Sequence, residues 1–201
     1  MTTARPASAG HSEDDLLRSQ QYGLLARALG AAPDSGFLTA LAGLSGDSST
    51  ALGRAYDAVA ARAAQADVAA VEREYFELFI GVGRGELLPY ASFYLTGFLN
   101  ERPLADLRAD LARLGLARAE GRHEPEDHIA FLMEVMAGLA GGAFGAPNLD
   151  EQTFFARHIA PWAVQFFDDL AQAPSADFYR PLAEVGRIFI EIEARAFALS
   201  D

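Results

Sequence analysis

The sequence contains no cysteine and no lysine. Without cysteine, disulfides, thiol nucleophiles and thiolate metal sites are excluded, and nothing in the chain requires an oxidising compartment. Without lysine there is no phosphate-loop ammonium and no Schiff-base amine. Positive charge is scarce as well: 16 basic residues, every one an Arg, stand against 28 acids, for a formal net charge of −12. Nucleic-acid binding needs a basic face to neutralise phosphates, so this balance argues against it and favours basic partners instead. Long apolar runs are missing too, since each is broken well short of the ~20 residues a membrane-spanning helix needs. Met1 to His11 is small and polar, which predicts a flexible arm rather than a signal peptide. The expectation is a soluble cytoplasmic protein with no stable membrane insertion.

What is present is helical periodicity. With 201 residues, 51% of them hydrophobic, the chain suits one domain with a substantial core. Ser12 followed by Asp15 predicts a cap for a helix running through Leu16, Leu17, Leu24, Leu25 and Leu29, closed by Gly30 and Pro33. A second helix is expected near 35–44 and a turn over 46–50. Leu52, Tyr56, Val59 and Ala63 form one apolar stripe, and Val68, Val71, Tyr75, Leu78 and Phe79 the next. Gly81, Gly83 and Gly85 then make a flexible break, a hinge near 81–88, before Pro89 opens an aromatic segment from Tyr90 to Phe98. Leu104, Leu107, Leu111 and Leu114 mark a further helix that Gly115 ends. The fold expected over 12–201 is an all-α, compact single-domain bundle of roughly eight to ten helices.

After a polar linker over 117–123, Glu124-Pro125-Glu126-Asp127-His128 places Pro at an expected first helical position and acids in the first turn. Ile129, Leu132, Met133, Met136 and Leu139 follow as the buried face. Further on, His158 and Trp162 stand one helical turn apart, and Tyr179 to Ile192 carries the last apolar stripe. Read from the residues alone, acids at a helix start commonly serve the helix, at ~0.3–1 kcal/mol each. His158 and Trp162 equally suit a core pair, and Tyr90, Phe93, Tyr94 and Phe98 suit packing.

Four ordered motifs carry a resemblance: Tyr75 to Gly81, Pro89 to Leu95, Glu124 to Ile129, and Phe155 to His158 with Trp162. Together they resemble the TorD/DmsD family of redox-enzyme maturation chaperones. The resemblance implies a TorD-like helical fold and no catalytic reaction. It implies a chaperone for a molybdopterin-dependent oxidoreductase, of the formate dehydrogenase or sulfoxide/amine-oxide reductase type, that binds the enzyme's twin-arginine signal peptide and its apo form. It also implies a monomer, with domain-swapped dimers opening at the glycine hinge. One departure is Leu132, where relatives often carry an acid.

A twin-arginine peptide presents two guanidinium groups followed by an apolar stretch, so a receptor needs carboxylates beside an apolar groove. The expected peptide-binding residues are Glu124, Asp127, His128, Tyr90, Ser92, His158 and Trp162, with Glu124 and Asp127 receiving the Arg pair and no cofactor or metal required. Two other readings stand beside it, the second prompted by the resemblance as well as by residues. A metal-dependent hydrolase would use Glu124, Asp127, His128, His123 and His158. A guanine-nucleotide-binding regulator would use the glycine cluster, although that cluster follows a helix and lacks the Lys-Ser/Thr ending of a phosphate loop.

Overall fold

A computed structural model describes residues 12–117 and 124–199. The arm expected over 1–11, most of the polar linker and His123 lie outside the described residues. Within them are ten α-helices and one π-helical turn, and no strand. The all-α expectation, with about this number of helices, therefore holds.

Helix α1 (Glu13–Gly30) starts under a reciprocal cap: Ser12 Oγ accepts from Asp15 N, and Asp15 Oδ2 accepts from Ser12 N, each at 3.1 Å. Its buried face differs from the expected one. Leu16 and Leu17 are half exposed, and the core side is built from Tyr22, Leu25, Ala26 and Leu29. The aromatic side chain of Tyr22 takes the central place because its hydroxyl reaches Glu193 Oε2 at 2.8 Å.

Helices α2 (Ser35–Ala42) and α3 (Ala51–Ala64) pack against each other, and α4 (Val68–Tyr75) follows. The stripe expected to continue unbroken to Phe79 changes pitch instead. Phe76–Ile80 winds as a π-helical turn closed by Gly81 N donating to Phe76 O at 2.7 Å. Gly81 has φ 62°, and a Cβ there would lie 2.0 Å from Arg84 O, so only glycine fits the reversal. The glycine-rich segment is a tight loop in this structure, because Glu86 N and Leu87 N donate back to Glu77 O and Leu78 O.

Helix α5 (Ala91–Thr96) is short and is followed by α6 (Arg102–Arg113) and α7 (Ile129–Ala140). Helix α7 is the axis of the core, with Ile129, Leu132, Met133 and Met136 fully buried. Each such side chain contributes roughly 1.5–3 kcal/mol when taken from water. Helix α1 lies antiparallel along it, with Gly30 beside Ala130 at one end and Ser19 Oγ donating to Ala137 O at the other. Helices α8 (Glu151–His158), α9 (Ala163–Gln172) and α10 (Tyr179–Ala198) complete the bundle. Gly186 lets α10 close onto α9, since a Cβ there would meet the Phe167 ring at 2.2 Å.

Two expectations about local geometry are corrected. Pro125 is not the first residue of α7: the helix begins at Ile129 under His128, whose Nδ1 accepts from Ala130 N at 3.1 Å. The chain before it is held extended because Ala91 N donates to Asp127 O and Ile129 N donates to Pro89 O. His158 and Trp162 do not share a helix either. His158 ends α8 and Trp162 immediately precedes α9, and the Trp162 indole N–H donates to His158 O at 2.8 Å.

Candidate functional site

The backbone exchange between 89–91 and 127–129 brings two of the sequence motifs together as a single antiparallel bridge, Tyr90 to His128. Their side chains continue the pairing. The Tyr90 hydroxyl donates to Glu124 Oε1 at 2.6 Å, and the Tyr90 and His128 rings meet edge to face, 5.2 Å between centroids. Glu124 is exposed, so its carboxylate presents negative charge to solvent while one oxygen is held in place. Burial, and then the bond to Glu124, push the Tyr90 phenol well above its usual range, so it stays a donor at any physiological pH.

Asp127 occupies a different position from the one expected of an Arg receptor. It is fully buried, and its Oδ2 accepts the Ser92 backbone N–H at 2.8 Å, so it caps the first turn of α5 from a distant part of the chain. The remaining carboxylate oxygen, Oδ1, and the Ser92 hydroxyl are buried without a hydrogen-bond partner among the described residues. Of the two carboxylates, Glu124 is therefore the one open to solvent, and Asp127 serves the start of α5. Glu126, next to it, is held by Arg108 with two guanidinium N–H bonds to Oε2, at 3.0 and 2.7 Å.

A third motif reaches the same place through a residue that sequence reasoning did not select. Tyr75, at the end of α4, has its phenol pushed up to about 12 by burial, with the Glu124 charge adding to the effect. Its ring packs on Phe79 and Tyr179. The signal was available, since Tyr75 opens the first of the four motifs, but periodicity assigned it to the apolar stripe.

His158 and Trp162 lie apart from this group, across α5 and α7. His158 Nε2 is 2.8 Å from Asp110 Oδ2, and the same carboxylate takes Arg157 at 2.8 Å and Arg113 at 3.1 Å. Burial alone would raise Asp110, but its bond to His158 and the charges of Arg157 and Arg113 hold it below the usual carboxylate range. Burial lowers the His158 imidazole despite that acid, leaving it neutral near pH 7. Asp110 itself escaped selection because it falls within the leucine stripe of α6. Trp162 is buried, with its ring tilted against Tyr94 at 5.2 Å. Of the residues named for a metal-dependent hydrolase, those described are divided between two places, Glu124, Asp127 and His128 in one and His158 in the other. Among the described residues no group of three or more His, Asp and Glu is arranged to hold a metal ion.

Between the two groups lies a cleft of about 230 Å³. Ala91 and Leu95 of α5, Leu107 of α6 and Leu132 of α7 give it apolar walls, and Asp106, Arg157 and His158 stand at its polar side. Leu132, the departure noted above, is one of its fully buried walls. A shallower depression lies over the glycine loop beside Phe76, Glu77 and Ser175.

Residues 45–168 match the family model described as nitrate reductase delta subunit. The chain is similar to the chaperone protein TorD of Aliivibrio fischeri, 27% identical over 135 residues that cover 62% of this chain and 63% of that protein. It is also similar to a protein of Haemophilus influenzae named as the Tat proofreading chaperone DmsD, 31% identical over 56% of this chain and 55% of that one. Its matches thus span under two thirds of the length of these relatives. Among solved structures, a protein described as a redox enzyme maturation protein from Archaeoglobus fulgidus shares the fold, with a TM-score of 0.58, 18% identity and coverage of 94% and 99% of the two chains. No described helix is long and apolar enough to cross a membrane.

Proposed function

Because the chain belongs to the nitrate reductase delta subunit family, with TorD and DmsD chaperones among its relatives, we propose that it is itself a maturation chaperone. In this reading it works in the cytoplasm without catalysing a reaction. Its ligand is the twin-arginine signal peptide of a molybdopterin-dependent oxidoreductase, of the formate dehydrogenase or sulfoxide/amine-oxide reductase type, together with the apo form of that enzyme. Holding the signal delays export until the cofactor is in place.

The observation that carries this reading is Glu124: an exposed carboxylate fixed by Tyr90, backed by the buried acid Asp127 and placed where three motifs of the sequence meet. A carboxylate has about four lone-pair sites, so Glu124 can keep its Tyr90 bond and still accept a guanidinium through its other oxygen. An isolated exposed pair contributes only ~0.2–1 kcal/mol. Here the Asp127 field behind it and the chain's net charge of −12 strengthen the attraction and speed encounter with a basic peptide. His128 orients the site by capping α7 with Nδ1 and packing its ring on Tyr90. Ser92 transmits the position of Asp127 to α5. Gly81, Gly83 and Gly85 would be the place where two copies exchange halves in a domain-swapped dimer.

The test is calorimetric titration of the full chain with a synthetic twin-arginine signal peptide and with the same peptide carrying Gln at both Arg positions. Binding of the first that weakens for the second supports the reading. Equal binding of both, or binding of neither across peptides from several oxidoreductases, overturns it.

A further inference from the structure

The chain as a whole is acidic, with a net charge of −12, yet between α6 and α8 positive charge exceeds negative. There Arg113 of α6 and Arg157 of α8 meet on a single carboxylate, Asp110. We infer that these two arginines form a binding site for a carboxylate, supplied by an acidic side chain of another protein or by a small free acid. The site lies apart from Glu124 and goes beyond the peptide-binding reading, since it takes a ligand of the opposite charge.

A buried carboxylate needs one counter-charge, and here there are more. Asp110 is 2% exposed; Arg113 Nη1 reaches its Oδ1 at 3.1 Å and Arg157 Nη1 reaches its Oδ2 at 2.8 Å. His158 Nε2 is also 2.8 Å from Oδ2, and burial keeps that imidazole neutral near pH 7, so it donates without adding charge. Asp106, one turn before Asp110, stands 3.6 Å from Arg102. Three guanidinium groups thus face two carboxylates, and one positive charge is left over. Arg108 is paired with Glu126 and leaves this balance unchanged.

The two guanidinium groups are used differently. Arg113 is largely spent, because its Nη2 also donates to Pro147 O at 3.3 Å and to Asn148 O at 3.1 Å. Arg157 has no side-chain partner beyond Asp110 among the described residues, and its side chain is 46% exposed. A guanidinium has five N–H donors, so most of those on Arg157 are open to a ligand. A planar carboxylate accepts two of them in parallel, a match that a neutral hydroxyl or amide lacks. Asp110 already restrains the Arg157 side chain, so less freedom is lost when a ligand binds. The acids elsewhere on the chain repel a polyanion more than a single carboxylate, which sets the ligand's charge low and makes its binding weak and salt-sensitive.

The experiment follows the Arg157 Nε–H resonance by NMR while the full chain is titrated, at fixed ionic strength, with sodium acetate, with an end-capped peptide carrying one Glu, and with the same peptide carrying Gln. Saturable shifts from acetate or the Glu peptide, with none from the Gln peptide or from sodium chloride, support the site. Tighter binding of the Glu peptide assigns the ligand to an acidic side chain, and tighter binding of acetate to a free acid. Arg157→Gln should weaken the acid that binds by about fivefold, read from backbone resonances around Arg113, and Arg157→Lys, which keeps the charge without the fork, by less. Circular dichroism checks that both variants fold; if Arg157→Gln does not, the wild-type titrations and Arg157→Lys still decide. No saturable shift from either acid, equal shifts from the Glu and Gln peptides, or unchanged affinity in both folded variants overturns the inference. None of these outcomes touches the twin-arginine reading, which stands or falls on the Gln-substituted signal peptide.

Discussion

Asp127 Oδ2 accepts the Ser92 backbone N–H at 2.8 Å, so the buried acid of one motif caps the helix that carries the other. A sequence pattern that looks like a receptor for external charge is, at this residue, spent on an internal helix terminus. The same device recurs in the bundle: Glu74 of α4 accepts the backbone N–H groups of Asp177, Phe178 and Tyr179, at 2.8 to 3.0 Å, and so caps α10. In both places an acid far away in sequence completes a helix start that has no cap of its own.

Asp127→Ala should therefore cost stability even without ligand. Losing a buried, charge-assisted cap is worth about 1–3 kcal/mol, and urea denaturation should show it as a lower midpoint with an unchanged slope. A variant as stable as wild type would show that α5 does not depend on this carboxylate.

The network joining the ends of the chain predicts a larger effect. Glu193, 1% exposed on α10, takes Arg18 of α1 at 2.8 Å through Nε, and Tyr22 at 2.8 Å; Arg18 also bonds to Glu151 of α8. Glu193→Gln weakens the charge-assisted bonds to Arg18 and Tyr22 while Arg18 keeps Glu151, and should destabilise by about 2–3 kcal/mol. Tyr22→Phe removes one hydrogen bond and keeps the ring against Phe189, so it should cost about 1 kcal/mol. Comparable losses in the two variants would contradict this ordering.

The buried imidazole sets a pH dependence. Burial lowers the folded-state pKa of His158, while in the unfolded chain it titrates near its ordinary value. The unfolded state thus binds the proton first, and stability is fully present above that ordinary value and falls as pH drops below it. Between pH 7 and 5 the denaturation midpoint should decline, and His158→Gln, which can still bond to Asp110, should flatten the decline. Asp110, held low by its cations, adds its own loss only in the more acidic range below the usual carboxylate pKa. A His158→Gln profile parallel to wild type between pH 7 and 5 would remove His158 from this account.

Most helices were legible because their signals are local. The Ser12 and Asp15 cap, the leucine spacing of α6 and the apolar face of α7 need only a few consecutive residues. What periodicity could not supply was whatever depends on a distant partner. Leu16 and Leu17 look like core positions until Glu193 draws Tyr22 inward. Pro125 looks like a helix start until residues 89–91 pair with 127–129 and hold that stretch extended. The candidate site divided along the same line. Tyr90, Ser92, Glu124, Asp127 and His128 come together in the fold, yet the exposure of Glu124 and the burial of Asp127 follow from tertiary contacts that no spacing encodes. Asp110 and Tyr75 were hidden inside apolar stripes for the same reason.

The central claim, that Glu124 reads a guanidinium of the Arg pair directly, is tested most directly by a double-mutant cycle between Glu124→Gln on the chain and Arg→Gln at both positions of the twin-arginine peptide. The account predicts that the chain variant weakens the Arg peptide but leaves the Gln peptide nearly unchanged, with a coupling of about 1 kcal/mol or more. Additive losses, with Glu124→Gln weakening both peptides equally, would contradict it and move the recognition of the guanidinium groups to another part of the surface.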